Sequence, residues 1–129
     1  MFENLDIFRM SSAMARHAGT RQALIAQNMA NADTPGYAAR DLKPFQAYLE
    51  TDTGDFHPRA TRAAHLHGAG VNRPYSPAIR PGAEADPNGN SVSLETEMVN
   101  AVEVKRQHDR ALAIYKHSLT VLRSAVSTR

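Results

Sequence analysis

The sequence predicts an all-α protein in which long N- and C-terminal helices are joined by an irregular loop rich in proline and glycine, with possible short strands. Three observations indicate this fold class. Apolar residues recur at helical spacing near both ends of the chain. A Thr-Pro-Gly triplet ends the first of these patterns, and five of the seven prolines lie within residues 51–90.

The length of 129 residues suggests one domain, which we divide into three segments. Residues 1–37 are predicted to form an N-terminal helix and its turn, residues 38–90 an irregular and largely flexible middle, and residues 91–129 a C-terminal helix. The net charge is +2 and there is no cysteine. Thiolate chemistry and disulfides are therefore excluded, and acidic residues interleave with the basic ones on the second helix, which disfavours a nucleic-acid surface.

The first helical pattern runs from about Ile7 to Ala32 and contains no proline. Its apolar positions alternate in steps of four and three, which is the spacing of an amphipathic helix. Ser11 and Arg21 interrupt this stripe, and polar residues in an apolar seam can fix the register of packed helices. We expect the packing residues of this helix to be Leu24, Ile25 and Met29.

A turn is predicted where Thr34-Pro35-Gly36 follows the helix. Proline lacks the N–H that a continuing helix needs, and glycine accepts the positive φ of a tight turn. Spacing alone also fits an ordinary helix stop with no further role. We predict that six residues fix this turn and the register of packing: Asn28, Asn31, Thr34, Pro35, Gly36 and Tyr37.

The second helix is predicted from Ser93 to about Val126. Ser93 is a good N-cap, and Glu95 and Glu97 lie in the first turns, where the helix dipole favours acids. Some 33 residues would make a rod about 50 Å long, which needs the first helix or other copies of the chain to cover it. A coiled-coil seam with steps of three and four is formed by Leu112, Tyr115, Leu119, Leu122 and Val126.

The sequence contains few candidates for metal-binding or catalytic residues. His65 and His67, with His57 nearby, could present two imidazoles on one side of an extended segment, but no carboxylate or cysteine completes a metal-ligand spacing. The nucleophile and phosphate-binding motifs of common enzymes are absent. We therefore expect no enzyme activity, no metal, no cofactor and no small-molecule substrate.

Two motifs at opposite ends of the chain resemble a known family. The stretch from Asn28 to Tyr37, followed by Ala39-Arg-Asp41, is similar to the N-terminal signature of bacterial flagellar rod, hook and hook-junction proteins, and most of all to their proximal rod members. A second match with this family precedes and enters the C-terminal helix. It comprises Asn90, Val92, Leu94, Glu95, Glu97, Met98 and Val99.

The resemblance implies a structural subunit of the flagellar basal-body rod, in which the two terminal helices pack as an antiparallel, coiled-coil-like pair. It implies export through the flagellar type III apparatus, and the first residues of the chain indeed lack the pattern of a cleavable signal peptide. The implied partners are other copies of the chain, other rod proteins, the rod–membrane-ring junction protein and the export apparatus. The subunits would polymerise into the proximal rod that transmits torque across the periplasm.

Three other classes of protein are compatible with parts of the sequence. A cytosolic helical adaptor or chaperone would be a stable dimer that is not exported. A basic nucleic-acid binder would be retained on DNA in a salt-sensitive way. An enzyme that uses the loop histidines as ligands would contain stoichiometric metal. The two terminal motifs favour the rod subunit over all three.

Overall fold

The computed structural model describes residues 3–52, 75–82 and 84–127. Long helices near both ends of the chain dominate this structure, which confirms the predicted helical class. The short segments between them include two strands of two residues each, which lie in the predicted middle segment. In chain order the elements are α1 (Glu3–Ala30), β1 (Arg40–Asp41), α2 (Phe45–Asp52), β2 (Ala78–Ile79) and α3 (Leu94–Ser127).

The boundaries of the helices follow local signals in the sequence. α1 ends at Ala30, two residues earlier than its apolar pattern. Pro44 directly precedes α2, where its missing N–H is not required. Ser93 caps α3, because its Oγ accepts a hydrogen bond from the N–H of Thr96 at 3.4 Å. The prediction of a capped start for the second helix is therefore confirmed.

α1 and α3 pack against each other through a small apolar core. Ala18 and Ile25 of α1 contact Val104 of α3, and all three are almost completely buried. Met29 and Ala101 pack around this centre. Because the apolar core is small, polar contacts must fix much of the relative position of the two helices.

Two further contacts join α1 to α3 at opposite ends of this core. The rings of Phe8 and Tyr115 meet edge to face with their centroids 5.2 Å apart. Asn28, near the end of α1, bonds Glu97, near the start of α3. The interface therefore extends along most of α1.

β1 and β2 form an antiparallel ribbon in which Arg40 is paired with Ile79 and Asp41 with Ala78. The N–H of Arg80 extends this pairing by donating to the carbonyl of Ala39 at 2.9 Å. This short ribbon places the Arg80 side chain beside the segment that follows the Thr-Pro-Gly turn. None of the helices in the described part of the chain has the length and apolar character needed to cross a bilayer.

Candidate functional site: the buried polar cluster under the turn

The side chain of Asn28 is fully buried between α1, β1 and α3. Its Nδ2 donates to the carbonyl of Arg40 at 2.8 Å and to Oε2 of Glu97 at 3.2 Å. Its Oδ1 accepts from the N–H of Arg40 at 3.1 Å and from the hydroxyl of Tyr37 at 3.3 Å. Both donors and both acceptor positions of the amide are thus used within this chain. A buried amide that is satisfied in this way admits one arrangement of the elements around it.

Glu97 is also fully buried, a feature that its predicted place in the first turn of the helix did not indicate. Its Oε1 accepts a hydrogen bond from Nη1 of Arg80 at 2.7 Å, while Oε2 faces Asn28. Glu97 is buried because it shares the α1-facing side of α3 with Val104 and Ala111, which follow at intervals of seven residues. Glu97 therefore lies in the first turn of α3, as predicted, and in addition bonds residues from two other segments of the chain.

Asp41 lies between two guanidinium groups. Arg21 of α1 donates from Nε to Oδ1 at 2.8 Å and from Nη2 to Oδ2 at 2.9 Å, which is a bidentate pair. The second group is that of Arg80, whose Nη2 is 3.7 Å from Oδ2. This Nη2 is buried without a hydrogen-bond partner among the described residues. We call Arg21, Asn28, Asp41, Arg80 and Glu97 the polar cluster; it contains two positive and two negative groups.

The electrostatics of the cluster keep Asp41 and Arg21 ionised. Burial by itself would raise the pKa of Asp41, but hydrogen bonds from Arg21 and from the N–H of Leu42 outweigh it and hold the pKa below its usual value. The same pairing with Asp41 raises the pKa of Arg21, although burial opposes this change. The two shifts have the directions expected of one ion pair. The pair is fully charged at neutral pH.

The predicted turn has the geometry of a type II β-turn. The N–H of Tyr37 donates to the carbonyl of Thr34 at 3.3 Å, and Pro35 and Gly36 occupy the two central positions. Gly36 has a φ of +71°, which a type II turn requires at its third residue. Thr34, Pro35 and Gly36 are exposed, whereas Tyr37 is half-buried. Asn31 is half-buried too, and its Nδ2 bonds the carbonyl of Gln27 at 2.8 Å.

The segment before α3 forms backbone hydrogen bonds with this turn. The N–H of Gly36 donates to the carbonyl of Asn88 at 3.0 Å, and the N–H of Ser91 donates to the carbonyl of Tyr37 at 3.0 Å. Gly89 lies so close that a Cβ added to it would be 3.4 Å from the Cα of Gly36. The two segments that carry the family motifs are thus in direct contact.

Asn90 was predicted only as part of the C-terminal motif, without its contacts, and Arg80 was not identified from the sequence at all. The Asn90 side chain is buried, and its Nδ2 lies 2.9, 2.7 and 2.8 Å from the carbonyl oxygens of Asn31, Ala32 and Thr34. Its Oδ1 accepts from the N–H of Val92 at 2.8 Å. Asn90 thus bonds carbonyls of the segment that follows α1, 56 to 59 residues away in the sequence, and it adds to the backbone hydrogen bonds that the carbonyls of Asn31 and Thr34 accept. The Asn-Gly-Asn turn before the N-cap was the available signal.

The packing residues predicted on α1 and α3 have different environments. Leu24 and Ile25 are buried inside this chain, and Met29 packs on the apolar core. On α3, Leu119 and Leu122 are half-buried. The remaining α3 positions are more exposed, with 39% for Leu112, 39% for Tyr115 and 77% for Val126.

The histidines considered as metal ligands, His57, His65 and His67, lie outside the described residues. Within residues 3–52, 75–82 and 84–127, no group of three or more His, Asp or Glu side chains is arranged to hold a metal ion. The chemistry of the described site is therefore that of hydrogen bonds and ion pairs between elements of the fold.

The chain was compared with known proteins. No protein-family model matches it. It is 30% identical over 115 residues to the flagellar basal body rod protein FlgB of Agrobacterium fabrum, which covers 87% of this chain and 86% of the relative. It is 30% identical over 107 residues to FlgB of Cereibacter sphaeroides, covering 83% of each chain. It is 27% identical over 122 residues to FlgB of Salmonella typhimurium, covering 88% of each.

Proposed function

This chain belongs to the FlgB family of flagellar basal body rod proteins, and we propose that it acts as a structural subunit of the rod, with no catalytic role. The observation that carries this proposal is the similarity to rod proteins over 87% of the chain. The fold supports it, because its polar cluster joins structural elements to one another.

We infer that α1 and α3 pack as an antiparallel, coiled-coil-like pair. Phe8 near the start of α1 meets Tyr115, whereas Asn28 near its end meets Glu97. Residue numbers therefore rise along one helix as they fall along the other. Leu24, Ile25 and Met29 serve this pair from the α1 side, and the polar cluster fixes its register.

The seam of α3 is the surface that we assign to packing between subunits, apart from the part of Tyr115 that contacts Phe8 of the same chain. α3 has 34 residues and α1 has 28, and Val126 at the far end of α3 is 77% exposed. Burial of one such side chain is worth roughly 1.5–3 kcal/mol, so several together can drive association. The partners in this proposal are other copies of the chain, other rod proteins and the rod–membrane-ring junction protein. The seam comprises Leu112, Tyr115, Leu119, Leu122 and Val126.

The turn is a second surface suited to fixing the register between subunits. Thr34, Pro35 and Gly36 are exposed at its tip, while Asn28 and Asn90 anchor the backbone on both sides of it. A rigid, exposed tip can meet a neighbouring subunit without paying the entropy of ordering a loop. We propose that one repeated contact of this kind, together with the seam, builds an open helical rod.

The cellular route follows from membership in the rod family. We propose that the chain is exported by the flagellar type III apparatus and assembles into the proximal rod, which transmits torque across the periplasm. A torque-bearing subunit needs directional contacts between its elements, since hydrophobic packing alone allows neighbouring registers. The hydrogen bonds of Asn28, Arg80 and Glu97 are directional contacts of this kind.

The test uses Leu119→Asp in cells that lack the wild-type gene, with Thr120→Asp as the matched control. Thr120 is the exposed neighbour of Leu119, and Thr and Asp have similar helix propensities. We expect Leu119→Asp cells to make the protein but to lack rods and swimming, and Thr120→Asp cells to swim. Normal basal bodies containing Leu119→Asp subunits would show that the seam is not an interface. Normal motility without the gene would overturn the rod function itself.

A further inference from the structure

His17 of α1 is enclosed by three aromatic rings. It is 2% exposed. Its ring centroid lies 5.6 Å from that of Phe45, 5.5 Å from that of Tyr48 and 4.9 Å from that of Tyr75. Tyr48 and Tyr75 also meet edge to face at 5.1 Å. We call these four residues the His17 cage.

Hydrogen bonds complete this cage. Nε2 of His17 is 2.9 Å from the carbonyl oxygen of Lys43. A carbonyl oxygen only accepts, so Nε2 carries the proton of the neutral ring and Nδ1 is its unprotonated nitrogen. The hydroxyl of Tyr75 donates to the carbonyl of Ala13 at 2.9 Å. His17 thereby connects two parts of the chain to α1. One is the start of α2, which precedes residues 53–74 in the sequence, and the other is Tyr75, which follows them.

We propose that His17 is an acid-sensitive clasp, which holds α2 and Tyr75 against α1 while its ring is neutral and releases them when the ring gains a proton. Protonation would add a donor at Nδ1 and a positive charge to a ring that is almost completely shielded from water. Burial of a charge is costly because the charge loses its hydration, and local release restores that hydration. This inference does not depend on the proposed rod function.

The charged groups around the cage favour release. From α1, the guanidinium of Arg21 repels a charged His17, and Arg16 lies near Tyr75. From β1, Asp41 attracts it, but this carboxylate is already bonded to Arg21. The segment before α2 contributes the carbonyl of Lys43, and α2 contributes the phenol of Tyr48. Tyr75 stays neutral in acid, since burial raises the pKa of its phenol.

The direction of the pH dependence follows from these surroundings. Burial lowers the pKa of His17 below 6.5, Arg21 acts in the same direction, and the Lys43 carbonyl and Asp41 oppose it. The released form therefore binds a proton more readily than the closed form. The clasp is most stable above pH 6.5, and its stability falls as the pH drops from 6.5 towards the lowered pKa.

The test follows the tyrosine near-ultraviolet circular dichroism and the His17 ring signals in NMR spectra of the full chain, from about pH 8 to about pH 5. We expect the tyrosine band to lose the contribution of Tyr48 and Tyr75 as His17 titrates, while the far-ultraviolet helix signal stays nearly constant. His17→Phe keeps a ring in the cage but cannot titrate, so its tyrosine band should be independent of pH. His108→Phe, at a half-buried position on α3, should behave like the wild type.

Two results would overturn the clasp. One is a His17→Phe variant whose tyrosine band follows the same pH curve as the wild type. The other is a wild-type His17 ring that titrates at or above pH 6.5 or without any change in the tyrosine signals. The second result is measured on the unmodified chain, so it decides the question even where a variant fails to fold.

Discussion

The amide nitrogen of Asn28 on α1 lies 3.2 Å from the carboxylate of Glu97 on α3, and both side chains are completely buried. These residues are 69 positions apart in the sequence and meet where the Thr-Pro-Gly turn leaves α1. A polar contact inside a helix pair is satisfied in one register only. The contact therefore defines how the two terminal helices align, while the small apolar core supplies the hydrophobic contribution.

Asn28→Ala is expected to destabilise the fold strongly. It leaves the N–H and carbonyl of Arg40 and one oxygen of Glu97 without their buried partner, which should cost about 2–4 kcal/mol. Urea unfolding followed by far-ultraviolet circular dichroism measures this loss. Asn31→Ala is the matched control, because the Asn31 amide is half-buried and bonds within its own helical turn; its cost should stay below about 1 kcal/mol. Equal losses in both variants would refute the special role of Asn28.

Glu97→Gln tests the ion pair with Arg80. The two oxygens of Glu97 accept from Arg80 and Asn28, whereas glutamine has one oxygen and would turn an NH2 group towards one of these donors. We expect a loss of about 2–4 kcal/mol in the free energy of unfolding, measured in urea. Glu95→Gln is the control on the same helix, and because Glu95 is exposed its effect should be below about 0.5 kcal/mol. A Glu97→Gln variant as stable as the control would contradict the buried pair.

Asp41→Asn should give a pH-dependent loss of stability. The pKa of Asp41 is lowered below 3.8 in the folded chain, so its contribution is complete above the unfolded value and is lost as the pH falls through the folded one. At neutral pH the variant should be about 2 kcal/mol less stable than the wild type. Urea titrations at several pH values should show the two proteins converging below pH 3.8. A difference that is unchanged in acid would rule out the Arg21–Asp41 pair as its source.

Asn90→Asp and Asn90→Ala separate the two functions of this side chain. Alanine removes the donor to the three carbonyls after α1 and the acceptor for Val92; aspartate keeps the acceptor but places a charged oxygen against those carbonyls. Alanine should cost about 2–3 kcal/mol and aspartate at least as much. Amide hydrogen exchange should show loss of protection at Gly36 and Tyr37. A neutral Asn90→Asp variant would show that the donated bonds are unimportant.

Gly36→Ala and Gly19→Ala should shift stability in opposite directions. Gly36 has a φ of +71°, where an added Cβ costs about 1–2 kcal/mol. Gly19 is in the interior of α1, and no atom lies within 4 Å of the position of an added Cβ. Alanine there should stabilise the helix by about 0.5–1 kcal/mol. Thermal unfolding should therefore give a lower midpoint for Gly36→Ala and a higher one for Gly19→Ala; a rise for Gly36→Ala would contradict the type II turn.

Local signals in the sequence predicted much of the secondary structure. The spacing of apolar residues identified both long helices, Ser93 identified the start of α3, and Pro35-Gly36 identified the turn. Each of these signals acts through a few neighbouring residues: a side chain that caps its own helix, a ring that restricts φ, or a residue without a Cβ. The resemblance of the chain to rod proteins is confirmed by relatives that align with most of its length.

The tertiary structure alone determined which partners the side chains of Glu97, Arg80 and Asn90 have. Nothing near Glu97 in the sequence distinguishes it from the exposed Glu95, and Arg80 lies 17 residues away across a segment without helical pattern. Asn90 satisfies carbonyls that are 56 to 59 residues distant. Whether a charged or amide side chain is buried depends on partners brought from other elements, because burial is tolerated only when those partners satisfy it. Hydrophobic periodicity can be seen within one segment, whereas these hydrogen bonds form only between segments that pack together in the folded chain.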